Sequence, residues 1–120
     1  MMKRHFDMMI TNTNIKNLPQ NANYFTEHLY TDARVWVEVK RTATTVTLAE
    51  VVTKKDPDWK PDFHVGGFAA HCANQSQQTW LFDRINYDAT RTVRMTKRGW
   101  AYKGTKFSEG KARRFYDYNF

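Results

Sequence analysis

From residue 24 onward the chain alternates apolar and polar positions with a period of two. Residues 34–40 are the clearest case: Val35, Val37 and Val39 fall on one side and Trp36, Glu38 and Lys40 on the other, the pattern of a half-buried strand. Arg41-Thr42-Ala43 makes a tight connection to residues 44–52, rich in β-branched side chains, and the two runs together predict a hairpin. Ahead of them, residues 24–30 fit either a first strand or a short helix, and Thr31-Asp32-Ala33 reads as a turn in which Asp32 bonds its own backbone. Alternation resumes at 79–85 and again at 90–96. Lys97-Arg98-Gly99 then closes a hairpin onto Trp100-Ala101-Tyr102, with Gly99 supplying the left-handed conformation of the turn. The aromatic run 115–120 is predicted to pack back as a terminal strand. Six or seven short antiparallel strands make the chain mainly β, a small antiparallel barrel or roll of the SH3-like kind. The alternative is an open sheet with a helix at 23–30.

Two segments break the alternation. Residues 1–23 are crowded with Asn12, Asn14, Asn17, Asn21 and Asn23 and interrupted by Pro19. So little apolar content cannot offset the entropy of ordering, and 1–23 is read as a flexible, disordered tail before a single domain at 24–120. Residues 53–77 hold Pro57, Pro61, alternating charges and the pair Gly66-Gly67, and predict one long irregular loop. Such a loop within a small domain is commonly functional.

Composition adds mainly exclusions. A length of 120 residues fits one domain. Aromatics at 15% suit a thin β-core and a shallow binding face. The single Cys72 excludes an internal disulfide. No apolar run approaches the about 18 residues that span a bilayer. No apolar stretch of signal-peptide length follows the basic start, so no membrane association and a cytoplasmic location are expected. Charge changes the picture more. Residues 1–83 balance nine basic side chains against nine acidic ones, whereas 84–114 carry ten basic residues against Asp88 and Glu109. The net +7 therefore sits in one stretch, which would concentrate anions.

Candidate chemistry is sparse. His64, His71 and Cys72 offer at most three ligands where zinc needs about four, and no metal or other cofactor is expected. His71 and Cys72 are adjacent, so on an extended chain they point apart and do not form a thiol–imidazole pair. Asp56, Asp58 and Asp62 read as solvated carboxylates rather than an acid–base pair. Gly66-Gly67 could admit a ligand to backbone N–H groups, with Asn74, Gln75 and Gln78 reading base or amide edges, or could simply form a turn capped by amides. The basic block is interleaved with Trp80, Phe82, Trp100, Tyr102 and Tyr116, the mixture that phosphate binding plus base stacking requires.

Two stretches, Tyr30-Thr31-Asp32-Ala33-Arg34-Val35-Trp36-Val37-Glu38-Val39 and Ala112-Arg113-Arg114-Phe115-Tyr116-Asp117-Tyr118-Asn119-Phe120, resemble the opening and the ending of a family of small uncharacterised β-rich proteins encoded by bacteriophages. The likeness spans about residues 29–120, leaving out the Asn-rich start and differing in the 53–77 loop. It implies a host-cell cytoplasmic setting and either an anti-defence role or a nucleic-acid or assembly role.

The resulting expectation is a non-enzymatic protein that binds an anionic partner, a phage anti-defence protein sequestering a nucleotide-like small ligand. Arg34, Arg84 and Arg113 would neutralise phosphate, Trp36, Trp80 and Tyr116 would stack, and His64 and Asn74 would orient. The alternatives are an RNA or single-stranded DNA binder on the same basic face, and an inhibitor covering an acidic surface of a host defence protein. Homo-oligomerisation stays open.

Overall fold

The alternation carries through nine strands. The computed structural model describes residues 13–66 and 69–119, with β1 (Ile15–Lys16), β2 (Tyr24–His28), β3 (Ala33–Arg41), β4 (Thr45–Lys55), β5 (Phe63–Gly66), β6 (Ala69–Cys72), β7 (Trp80–Thr96), β8 (Gly99–Tyr102) and β9 (Thr105–Glu109). The one helical element is a 3-10 turn at Gln75–Gln77, and residues 24–28, open between strand and helix, are strand. The mainly β expectation holds.

Seven strands form one sheet in the order β1-β7-β4-β3-β2-β9-β8, and β7 also pairs with β8. That last pairing closes six antiparallel strands into a ring, while β1 joins β7 in parallel, Ile15 opposite Trp80. Strands β5 and β6 form a separate hairpin, Phe63 opposite Cys72, within the stretch expected to be irregular. Strand β7 was read as two runs because Ala49 pairs with Thr90 while Glu50 pairs with Asn86, so residues 87–89 loop out of the ladder.

Ring closure explains why both faces of β2, β3 and β4 are buried. Side chains alternate across a strand, so Phe25, Trp36, Val46, Leu48, Val93 and Phe107 fill the ring while Tyr24, Val35, Val37, Ala49 and Val51 lie on its outer wall. Trp36 does oppose the valines, as its parity requires, but that side is the ring interior. Val39 is 51% exposed because the ladder slips between Glu38 and Lys40.

Each mouth of the ring is plugged by the same three residue types. Where β2 ends, the Trp36 indole donates to Glu27 Oε1 at 3.0 Å, and Arg91 lies 3.5 Å from Glu27 Oε2 and 5.2 Å over the Trp36 ring. Where β2 begins, Trp100 donates to Glu109 Oε1 at 3.1 Å, and Arg41 binds Glu109 at 2.6 Å and lies 5.5 Å over Trp100. Cation, ring and carboxylate satisfy one another at both ends.

The outer apolar wall is covered by the two ends of the chain. Ile15 and Leu18, 4% and 7% exposed, pack there beside Tyr24, Trp80 and Ala112. The expected tail 1–23 is therefore corrected over its described part: residues 13–23 belong to the domain, and 1–12 lie outside the described residues. Asparagine did not mean disorder here. Asn17 and Asn21 hold φ of 64°, a left-handed conformation Asn tolerates, and Asn23 donates to Glu38 and Glu109. The 115–120 run is extended but joins the fold through a single isolated bridge, Ala33 to Phe115, rather than a full strand; Phe120 lies outside the described residues.

Candidate functional site

The C-terminal segment crosses the outer wall in an extended conformation, so its side chains alternate. Arg113 and Phe115 fall on one side, with the guanidinium 4.5 Å from the ring. Arg114, Tyr116 and Tyr118 fall on the other, where with Trp80 and Lys55 they line a groove of about 380 Å³. A second depression of about 250 Å³ shares Trp80 and Arg114 and adds Arg34, Glu50 and Thr53. A tighter crevice of about 80 Å³ beneath Lys55 and Tyr118 is walled by Trp59 and Pro61. The three are continuous through Trp80 and make one shallow site.

Arg114 is its centre. Nη1 donates to the carbonyls of Ala33 at 3.1 Å and Phe115 at 2.7 Å, and the guanidinium lies 4.6 Å over the Trp80 ring. Burial, and then the neighbouring Arg34 charge, push its pKa below the usual arginine value. Among the described residues neither Arg34 nor Arg114 makes an ion pair, although Glu50 lines the same depression. Two guanidiniums thus share a half-desolvated groove. Tyr116, 44% exposed and 4.8 Å edge-on to Tyr118, offers a ring face at its rim.

Two amides fix this arrangement. Asn14 donates to the carbonyls of Gln78 (3.0 Å) and Arg114 (2.7 Å) and accepts from the Arg114 N–H (2.9 Å). Gln78, 2% exposed, accepts from the Trp80 indole and the Tyr116 N–H and donates to the carbonyls of Gln75 and Tyr116. Every hydrogen-bonding group of that buried amide is used. Below, Asp56 is 3% exposed and held by Lys16 at 2.8 Å, Thr79 at 2.7 Å and the Asp58 N–H at 3.0 Å. Lys16, then Thr79 and that N–H, hold its carboxyl down at about 2.

Of the eight residues singled out from the sequence, Arg34, Trp80 and Tyr116 meet in this groove. Trp36 is buried at the adjoining mouth, where it lines a depression with Arg34 and Asp88. Arg113 projects to the opposite side of the segment from Tyr116. Arg84 is exposed on β7 opposite Val52. His64 is exposed on β5, 3.3 Å from Asp62 and opposite His71. Asn74 staples its own loop, accepting from the Asp62 N–H at 2.7 Å and donating to the Lys60 carbonyl at 2.9 Å. Arg114 was the residue missed, and counting by two from Tyr116 reaches it. Asn14 and Lys55 carried no such signal.

Among the described residues no group of three His, Cys, Asp or Glu is placed to hold a metal ion. Cys72 is buried, with Sγ 3.4 Å from Asn74 Oδ1. Within the groove the chemistry on offer is anion neutralisation, hydrogen-bond donation and ring stacking. Comparison with known protein families, curated proteins and solved structures finds no match.

Proposed function

We propose that this chain is a non-enzymatic binding protein whose groove takes a phosphorylated, ring-bearing ligand of the nucleotide class. One observation carries the reading: Arg114 is desolvated beside the like charge of Arg34, with no ion-paired acid at either among the described residues. Like charges brought together out of water are unfavourable, and a phosphate between them reverses the sign of that interaction. The guanidinium fork matches phosphate oxygens in pairs. The exposed face of Tyr116 suits a base, and such a stack contributes roughly 1–3 kcal/mol. Together the adjoining depressions of about 250 and 380 Å³ are of small-ligand size.

A protein of this kind would sequester its ligand. If the resemblance to phage proteins marks its setting, the ligand would be a nucleotide signal of host defence. The experiment is a thermal-shift series with mononucleotides, cyclic nucleotides and ADP-ribose, on the parent chain and on Arg114→Met. A true ligand at 100 times its Kd raises stability by about 2.7 kcal/mol, saturably, and the substitution removes the shift. If no member of the series moves the melting temperature, the reading fails and a protein partner takes its place.

A further inference from the structure

A cluster of uncompensated cations lies on the other side of the segment that bears Arg114. Strand β2 ends at His28, which faces out of the ring with Tyr24 and Thr26 and is in register with Lys106 of β9. His28 Nε2 is 2.7 Å from Ser108 Oγ, the next outward residue of β9. Thr26 brings the C-terminal segment down onto the same wall: its hydroxyl donates to the Lys111 carbonyl at 2.6 Å and accepts from the Arg113 N–H at 3.1 Å. Lys106, Lys111 and Arg113 therefore surround one imidazole–hydroxyl pair. Burial first, and then these three cations, press the His28 pKa below its ordinary value. Among the described residues none of the three forms an ion pair.

This cluster is connected to the groove. Arg113 and Arg114 are consecutive residues of one extended segment, one serving each side, and their Cα atoms are about 3.8 Å apart by backbone geometry. Rings accompany cations on both sides, Phe115 under Arg113 and Tyr116 beside Arg114. Cations repeating along a surface with aromatic rings between them are what single-stranded nucleic acid requires, phosphate by phosphate and base by base. An acidic protein surface would make no use of the rings.

We propose that His28, Ser108, Lys106, Lys111 and Arg113 form a second phosphate site, and that it and the Arg34–Arg114 groove take successive phosphates of one single-stranded nucleic acid. The proposal rests on the groove's being a nucleotide site. The test is a fluorescence titration of the full chain with adenosine monophosphate and with a thymidine decamer over a range of salt, repeated on Lys106→Ala/Lys111→Ala. Both lysine side chains are solvent-exposed, so an unchanged melting temperature verifies that the variant folds. The decamer should bind more tightly than the monophosphate. In the variant its affinity should fall about tenfold, and the slope of log K against log salt should become shallower by about 1.4, from about 0.7 per phosphate contact. Monophosphate binding should not change. A variant that keeps both decamer affinity and slope, while the parent binds the monophosphate, overturns the second site and leaves the groove standing. Loss of monophosphate binding in the variant also overturns it, because the two sites would then not be distinct. A parent that binds neither probe overturns the groove reading and this extension with it.

Discussion

Replacing Asn14 with alanine deletes three hydrogen bonds that join residues far apart in sequence: two donated to the carbonyls of Gln78 and Arg114, one accepted from the Arg114 N–H. Each half-buried bond contributes about 1 kcal/mol net, so the loss is about 3 kcal/mol. In a domain of this size that lowers the melting temperature by roughly 12 °C. With an m-value of about 1.5–2 kcal/mol/M the urea midpoint falls by about 1.5–2 M. The parallel contact of β1 with β7 survives, because the Trp80 N–H still reaches the Asn14 carbonyl at 2.9 Å. Damage should therefore concentrate in the C-terminal segment. Amide exchange at Arg114 and Tyr116 should accelerate more than at Val35 or Leu48, which lie in the buried ladders. Asn14→Asp is a sharper probe: it keeps the acceptor but sets a carboxylate against two carbonyl oxygens, and should destabilise at least as much. A midpoint within about 0.5 kcal/mol of the parent, with Arg114 protection unchanged, would refute the claim that Asn14 seats the groove.

Gln78→Met keeps volume but strands the Trp80 indole and both backbone groups of Tyr116, so equilibrium unfolding should show a loss of about 3 kcal/mol or more. The Asp56 carboxyl is held at about 2, below its unfolded value near 3.8. Its contribution is thus fully present above about pH 4 and is lost as pH falls towards 2; urea midpoints from pH 5 to 2 should decline more steeply in the parent than in Asp56→Asn. Arg91→Ala leaves Glu27, 3% exposed, without its cation and should destabilise by about 3 kcal/mol, whereas the exposed Arg84→Ala should stay within about 0.5 kcal/mol in the same chemical denaturation.

Strand parity was readable directly from the sequence, as the separation of Val35 and Val37 from Trp36 shows. What parity could not convey was that both sides of those strands are buried, because ring closure is a property of the β7–β8 pairing and not of any one strand. Strand β9 went unread, since Thr105–Glu109 offers only Phe107 as a buried apolar residue. The 13–23 segment went unread for a different reason. Its two buried side chains, Ile15 and Leu18, are outnumbered by asparagines whose work is done by left-handed turns and amide hydrogen bonds, which hydrophobic periodicity does not register. In the groove, Arg34, Trp80 and Tyr116 were identifiable as residue types suited to phosphate and base. Choosing Arg113 over Arg114 placed the cation on the wrong side of a segment whose period was already known.

The amide contacts between Asn14 and Arg114 span one hundred positions of sequence. Bringing such distant residues together carries a loop-closure entropy that local hairpins such as β3–β4 do not incur, and contacts of this range slow folding. The groove therefore does not exist on a nascent chain. It comes into being only once residue 114 has been synthesised and laid back over residue 14. A prematurely terminated product could build β2, β3, β4 and β7 and still be unable to hold a ligand, so full-length synthesis and binding competence are acquired in one step.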